Sequence, residues 1–304
     1  MRIVSLISSA TEIIHALGMT KNLVGISHEC DYPDDIQNLP ICTEPRFDIS
    51  GKSLEIDRDV KSIVQDALSV YQIHESIIND LQPDFIITQT QCKVCAVTLD
   101  DVRLVLKNKL GLNAKIISLE PNSLSDVWSD IHLISSALQI DDRGHALVKN
   151  IQREISQIKS MVYLKKRQSV ACIEWIEPLM YAGNWVPEMV EIAGGFSVFG
   201  KKGEHSSWSD YSTLIKSNPD KIILMPCGYD IKKTQKELNT LFNISGWSDL
   251  KAVKSNNVFI TDGNQYFNRP GPRLVDSIKI LFDIISDKNE LFGYKGKGWV
   301  RLLC

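Results

Sequence analysis

Two groups of side chains in this chain have types and spacings that could do chemistry. The first is sulfur and imidazole: His28 and Cys30 in "SHECDYP", Cys92 and Cys95 in "TQTQCKVCAV", and Cys227 in "MPCGYD". A C-x-x-C pair brings two thiols to one point, the arrangement of a zinc ligand pair or a redox dithiol. His28-x-Cys30 is not a standard second pair, so three readings stay open: zinc or another thiophilic metal, a redox dithiol, or buried free thiols. The second group is aromatic. Trp175, Met180, Tyr181 and Trp185 crowd one glycine in "EWIEPLMYAGNW", and Tyr32, Tyr229, Tyr266 and Phe267 fall in comparable stretches, with Asn184, Gln265, Asn268 and Arg269 beside them. Large flat rings with a few amides suit a large, partly apolar ligand held by stacking and hydrogen bonds; the alternative is packing between lobes. Catalytic signatures such as G-x-S-x-G, H-E-x-x-H and the phosphate-binding G-x-x-x-x-G-K-[ST] are missing. Glu174 and Glu177, without a histidine or metal partner, read as solvated carboxylates, and the expectation is a protein that is not an enzyme.

The elements that must position these groups repeat along the chain. "LQPDFIITQTQC" and "SNPDKIILMPC" each read as a helix end, a Pro-Asp turn, a β-branched strand and a loop with a cysteine. "RIVSLISSATEIIHALG" reads as strand, loop and helix, with Ser9 and Glu12 spaced as a capping box and Gly18 as the stop. "SVACIEWIEPLMYAGNWVPEMVEIAGG" makes the same moves at greater length, with Pro187 in the first turn of its helix and Gly194-Gly195 ending it. "AKIISLEPNSLSDVW" and "NNVFITDGNQYFNRPGPRLVDSI" form a third pair. Alternating strands and helices give an α/β fold of two Rossmann-like lobes with parallel sheets. The expected division is an N-terminal lobe 1–139, an interlobe backbone helix 140–167 and a C-terminal lobe 168–304. In that helix Leu147, Ile151, Ile155, Ile158 and Val162 make one apolar stripe. About 25 residues give a rod of roughly 37 Å, which predicts small relative motion of the lobes. Ligands bind past the carboxyl ends of parallel strands, where the sulfur, imidazole and aromatic loops lie.

With 304 residues, 43% of them hydrophobic, the chain can bury a full core. A net charge of −3 and a pI near 6.1 exclude a cationic surface for phosphate backbones, so no nucleic acid is expected. No run of eighteen apolar residues could span a bilayer. Glu12 and His15 interrupt the apolar N-terminus, which reads as the first strand and helix rather than a signal peptide. With seven cysteines, an odd count, and no secretory signal read there, the expectation is a cytoplasmic monomer with mostly free thiols. "GYKGKGW" (293–299) reads as a surface arm.

In "SLISSATEIIHALG", "CDYP", "QCKVCAV", "EWIEPLMYAGNWVPEMVEIAGG" and "DGNQYFNRPGPRLVDS" the chain resembles, across essentially its whole length, the cobalamin-binding BtuF-like group of the class III (helical-backbone) substrate-binding protein family. That resemblance implies a corrinoid (cobalamin) held in the cleft between two lobes, with little closure. It implies that Trp175, Tyr181 and Trp185 form one wall, that Tyr32, Tyr266, Phe267 and Arg269 oppose it, and that Asn184 and Gln265 meet amides of the ligand. His28, Cys30, Cys92, Cys95 or Cys227 would then be candidates to reach the cobalt. The role would be carrier, scavenger or ABC-transporter component. Family members dock on a permease through one acidic residue on each lobe. Glu75 fits the first position, whereas Ser212 and Thr213 stand where the second glutamate is expected, with Asp210 nearby. The alternatives are a haem or ferric-siderophore binder on the same fold, or a thiol- or zinc-dependent protein using Cys92 and Cys95.

Overall fold

A computed structural model of the protein describes residues 1–65, 69–91, 97, 99–162, 167–286 and 290–303, without the side chains of 107–109. Along its first half the chain runs β1 (Ile3–Ser5), α1 (Ser8–Ala16), β2 (Leu23–Ile26), β3 (Thr43–Pro45), α2 (Ser53–Gln65), β4 (Tyr71–Ile73), α3 (Glu75–Leu81), β5 (Phe85–Gln89), α4 (Leu99–Arg103), β6 (Lys115–Leu119), α5 (Leu124–Ala137) and α6 (Asp141–Met161). The second half adds β7 (Ser169–Trp175), β8 (Met180–Tyr181), α7 (Val186–Ile192), β9 (Phe196–Ser197), β10 (Ser207–Trp208), α8 (Tyr211–Ser217), β11 (Lys221–Leu224), α9 (Ile231–Gln235), α10 (Leu238–Phe242), α11 (Lys251–Lys254), β12 (Val258–Thr261), α12 (Leu274–Ile285) and β13 (Trp299–Leu302). Two compact units result. The first is Met1–Gly51, Glu55–Pro121 and Ser125–Lys149; the second is Lys52–Leu54, Asn122–Leu124 and Asn150–Cys304.

The first unit carries a parallel sheet in the order β2-β1-β5-β6, with β3 and β4 as a separate antiparallel pair. Its core joins Val4, Leu6 and Ile86 from the sheet to Ile78, Val102 and Leu106. The second unit has a sheet in the order β10-β8-β7-β11-β12-β13, with β9 also on β7. Only the β9-β7-β11-β12 part is parallel; β8, β10 and β13 are antiparallel additions. The antiparallel additions to the expected parallel sheet arise because β7 turns back as a hairpin and the C-terminal segment pairs with β12. Trp299 in that segment is fully buried, so "GYKGKGW" leads into the sheet rather than forming an arm.

The repeat read from the sequence has a physical basis. α3 and α8 end in left-handed residues, Gln82 (φ 43°) and Asn218 (φ 42°), each followed by Pro-Asp and a strand. The two aspartates do the same work: Asp84 Oδ2 accepts from the backbone N–H of Arg2 at 2.7 Å, and Asp220 Oδ2 from that of Ser169 at 2.9 Å. Each thereby fixes the start of the neighbouring strand, β1 or β7. Gly18 (φ 74°) closes α1, and Pro187 stands in the first turn of α7, as expected. The capping box at Ser9 and Glu12 does not form. α1 starts two residues earlier, at Ser8 with Ile7 as its N-cap, and the Ser9 hydroxyl is enclosed without a partner.

The backbone helix α6 has 21 residues, about 31 Å, and ends at Met161, short of the expected rod; 163–166 lie outside the described residues. Its buried face is Gly144, Val148, Ile151, Ile155 and Ile158, with Val148 rather than Leu147 facing inward. Gly144 allows the close approach of α5, because a Cβ there would lie 2.1 Å from the Ser135 hydroxyl.

Candidate functional site

In the first unit the loop after β2, at the carboxyl end of the parallel sheet, carries His28, Cys30 and Tyr32. His28 packs on Tyr71 (ring centroids 5.1 Å apart), and both its backbone N–H and its Nδ1 meet Thr43 Oγ1, at 3.2 and 2.8 Å. Burial pulls His28 down to about 4, with Glu44 raising and His74 lowering it, so the imidazole is neutral at pH 7. Cys30 faces the other way, its Sγ 3.1 Å from Thr11 Oγ1, which in turn donates to Ser5 Oγ. His28 and Cys30 therefore do not converge, because residues two apart in this loop point to different neighbours, β3 and α1. Tyr32 is half-buried, edge-on to His15 at 5.6 Å.

The expected pair Cys92 and Cys95 lies outside the described residues. Among the described residues, Cys42 and Cys172 are free thiols, and no group of three or more His, Cys, Asp or Glu could hold a metal ion. The zinc expectation thus gains no support from His28, Cys30 and Cys227. Burial pushes the thiols of Cys42 and Cys172 up to about 12, where neither is a thiolate donor at neutral pH.

In the second unit the aromatic stretch is a hairpin rather than an open loop. β8 folds back on β7, with Tyr181 opposite Ile173. That pairing drives Tyr181 into the core, 1% exposed and stacked on Phe199 at 3.8 Å and 9°. Trp185 is 5% exposed, and its Nε1 donates to the Phe267 carbonyl at 2.9 Å; Phe267 is itself fully buried. Tyr181, Trp185 and Phe267 therefore serve packing, and the wall expected from them is internal. Trp175 is the member nearest the strand end, edge-on to Tyr229 at 5.4 Å, with its Nε1 enclosed and unpartnered. Tyr229 is anchored by its hydroxyl, which donates to the buried Glu237 at 2.9 Å; the same carboxylate accepts from the backbone and hydroxyl of Ser53. Glu174 is not a solvated carboxylate. Burial pushes it up to about 7, while Ser206 Oγ donates to it at 2.9 Å.

The hairpin leaves one place where no side chain fits. A Cβ on Gly183 would lie 2.5 Å from the Glu204 carbonyl and 2.6 Å from the Ser206 amide nitrogen. Asn184 follows with φ 52°, its N–H donating to the Glu204 carbonyl at 2.6 Å and its Oδ1 enclosed without a partner. After β12, Asp262 caps the 263–267 turn by accepting from the Gln265 N–H at 2.8 Å. Gln265 is exposed, and Tyr266 is half-buried against Tyr294. The nearby cations are engaged: Arg269 Nη2 with Asn264 Oδ1 at 3.1 Å, Arg273 over the Tyr266 ring at 5.6 Å, and Lys233 over the Tyr229 ring at 3.8 Å. Cys227 lies in the loop after β11, its backbone N–H on the Glu174 carbonyl at 3.1 Å. Sequence reasoning missed Thr43, Tyr71, Lys233 and Glu237. Each meets its partner across many residues or with an unremarkable type, and no local pattern marks them.

For docking, Glu75 is the first residue of α3. In the second unit Ser212 lies in the first turn of α8 and donates to Asp210 Oδ1 at 2.6 Å. Asp210 caps that helix, and the hydroxyl and backbone donors of Ser212 and Thr213 hold it below the usual carboxylate range.

Among curated proteins, the chain is similar to the Bacillus subtilis (strain 168) uncharacterized ABC transporter substrate-binding lipoprotein YvrC, 23% identical over 289 residues, 93% of this chain and 79% of that one. Among solved structures it is similar to the periplasmic heme-binding protein RhuT of Roseiflexus sp. RS-1, with a TM-score of 0.69 and 21% identity over 94% of this chain and 98% of that one. It is also similar to the periplasmic vitamin B12 binding protein BtuF of Vibrio cholerae, with a TM-score of 0.66 and 17% identity over 94% and 96% of the two chains. These structures share the α/β fold described above. Neither a lipoprotein nor periplasmic relatives support the cytoplasmic placement expected from the sequence. Residues 3–265 match the model of the periplasmic binding protein family, and the chain belongs to that family.

Proposed function

We propose that the protein is the substrate-binding component of an ABC transporter, non-catalytic and working outside the cytoplasm, and that its ligand is a corrinoid. The observation that carries the ligand class is that the cations at the second unit's strand ends already have partners. Tyr266 offers ring surface, and the exposed Gln265 offers an amide. Arg269, Arg273 and Lys233 are already bound to an amide or a ring. A ferric siderophore, an anionic chelate, wants uncommitted cations; a corrinoid, with its flat macrocycle and peripheral carboxamides, wants rings and amides. The Vibrio cholerae relative, named for vitamin B12, agrees with this reading.

Haem is the second reading, favoured by the neutral imidazole of His28 and by the relative named as heme-binding. Docking on the permease would use Glu75 on the first unit and Asp210, rather than position 212, on the second. Isothermal titration with cyanocobalamin, hydroxocobalamin, hemin and a ferric hydroxamate decides among the ligands. The expected result is one-to-one binding of both corrinoids and at least about tenfold weaker binding of the other two, a difference of ~1.4 kcal/mol. Tight binding of hemin or the hydroxamate without the corrinoids would overturn the ligand assignment.

A further inference from the structure

His132 on α5 and His145 on α6 lie against each other in the first unit, their ring centroids 4.8 Å apart at an interplanar angle of 76°. The other imidazoles of that unit have partners: His15 meets Thr20, His28 meets Thr43 and His74 meets Glu44. Among the described residues neither His132 nor His145 makes a side-chain hydrogen bond or an ion pair. In His132 the Nδ1 is enclosed without a partner, whereas Nε2, equally unbonded, is not enclosed. No protein group therefore fixes either tautomer, so the half-buried His132 can present the lone pair of Nε2 while the exposed His145 turns its ring towards it. The backbones that carry them are fixed. Three residues, 138–140, join the helices, the Ile140 N–H donates to the Ser135 carbonyl at 2.8 Å, and Arg143 ties the first turn of α6 to the Leu17 carbonyl at 3.1 Å. Gly144 keeps the helices close, since a Cβ there would also lie 3.7 Å from His132 Nδ1. Asp141 and Asp142 outnumber Arg143 in that first turn, so the local charge favours a cation.

We propose that His132 and His145 together bind one divalent transition-metal ion, with water in its remaining positions, and so clasp α5 to α6. A metal about 2.1 Å from each imidazole nitrogen stands about 3.2 Å from each ring centre, so two rings on one ion have centroids roughly 4.5 to 5.2 Å apart. The observed 4.8 Å falls inside that range. Imidazole suits Ni2+, Cu2+ and Zn2+, and two imidazoles without a thiolate or carboxylate select this group over Mg2+ or Ca2+. Two side chains on one helical hairpin also act on each other's ion at high effective concentration, so the pair binds more tightly than either histidine alone. The clasp does not depend on the corrinoid reading, because both residues belong to one helix pair of the first unit.

The test is calorimetric titration of the whole protein with NiCl2 at pH 7, for the wild type, His145→Ala, His132→Ala and the double variant, together with the paramagnetic broadening that Ni2+ causes in the histidine ring signals of the wild type. Circular dichroism without metal checks that each variant is folded. His145 is exposed, so His145→Ala and the ring signals decide the matter even where His132→Ala does not fold. The expected result is one bound Ni2+ in the wild type, at least about tenfold weaker binding in each single variant and little further loss in the double variant. The ring signals of His132 and His145 should broaden together, at the same Ni2+ concentration. Unchanged affinity in His145→Ala, single losses that simply add in the double variant, or broadening of one ring without the other overturns the shared site. Wild-type binding no tighter than that of either single variant overturns it as well.

Discussion

Glu174 shows how one residue can hold a pH dependence. Its folded value, about 7, lies above the ordinary 4.5 because burial penalises the charged form, with Ser206 and Gly183 offsetting only part of that. Between those values the unfolded chain has lost its proton while the folded protein retains it, so stability falls as pH rises through about 7. Glu174→Gln keeps an acceptor for Ser206 and removes the charge. Thermal melts should therefore show the variant more stable than wild type at pH 8.5, by on the order of 1–2 kcal/mol, with the gap closing towards pH 5. A gap that is the same at both pH values would remove the titration argument. The lesson for the site is that an acid at a strand end, beside aromatic rings, is here half-buried and bonded to Ser206 of its own hairpin rather than freely solvated.

At the scale of the element, the β7–β8 hairpin decides what the aromatic stretch can do. Its antiparallel return places Tyr181 in the core and leaves Trp175 at the strand end. The hairpin is pinned where Gly183 meets the 204–206 backbone. Gly183→Ala must displace that backbone and should destabilise by about 2–3 kcal/mol. Gly203→Ala in the same region, with φ 78° but open space around it, should cost only about 1 kcal/mol. Denaturant unfolding of the two variants measures the difference, and equal losses would mean that the 204–206 backbone yields easily and that close approach does not govern Gly183. α6 makes the complementary point. Its apolar period was readable over 151–158, whereas its inward residue Val148 and its end at Met161 were not, because a regular stripe does not show where a helix stops.

At the scale of the whole molecule, a ligand that binds only the folded protein must stabilise it. Cyanocobalamin at about a hundred times its Kd should add ~2.7 kcal/mol, seen as a rise in melting temperature; a melting temperature indifferent to a corrinoid shown to bind would mean that the unfolded chain binds it too. The sequence by itself determined the α/β class, the repeat of helix, Pro-Asp turn and strand, and the family resemblance. These rest on local chemistry: left-handed caps at Gln82 and Asn218, the Pro-Asp turns that follow them, and hydrophobic periods. What only the tertiary structure decided is which groups face outward. Tyr181, Trp185 and Phe267 are aromatic like the half-buried Tyr266, yet strand pairing and one indole hydrogen bond bury them. Likewise the orientation of His28 depends on Thr43 and Tyr71, 15 and 43 positions further along the chain and brought beside it by β3 and β4. Side-chain type and spacing fix what a residue is able to do, and burial and long-range partners fix whether it is placed to do it.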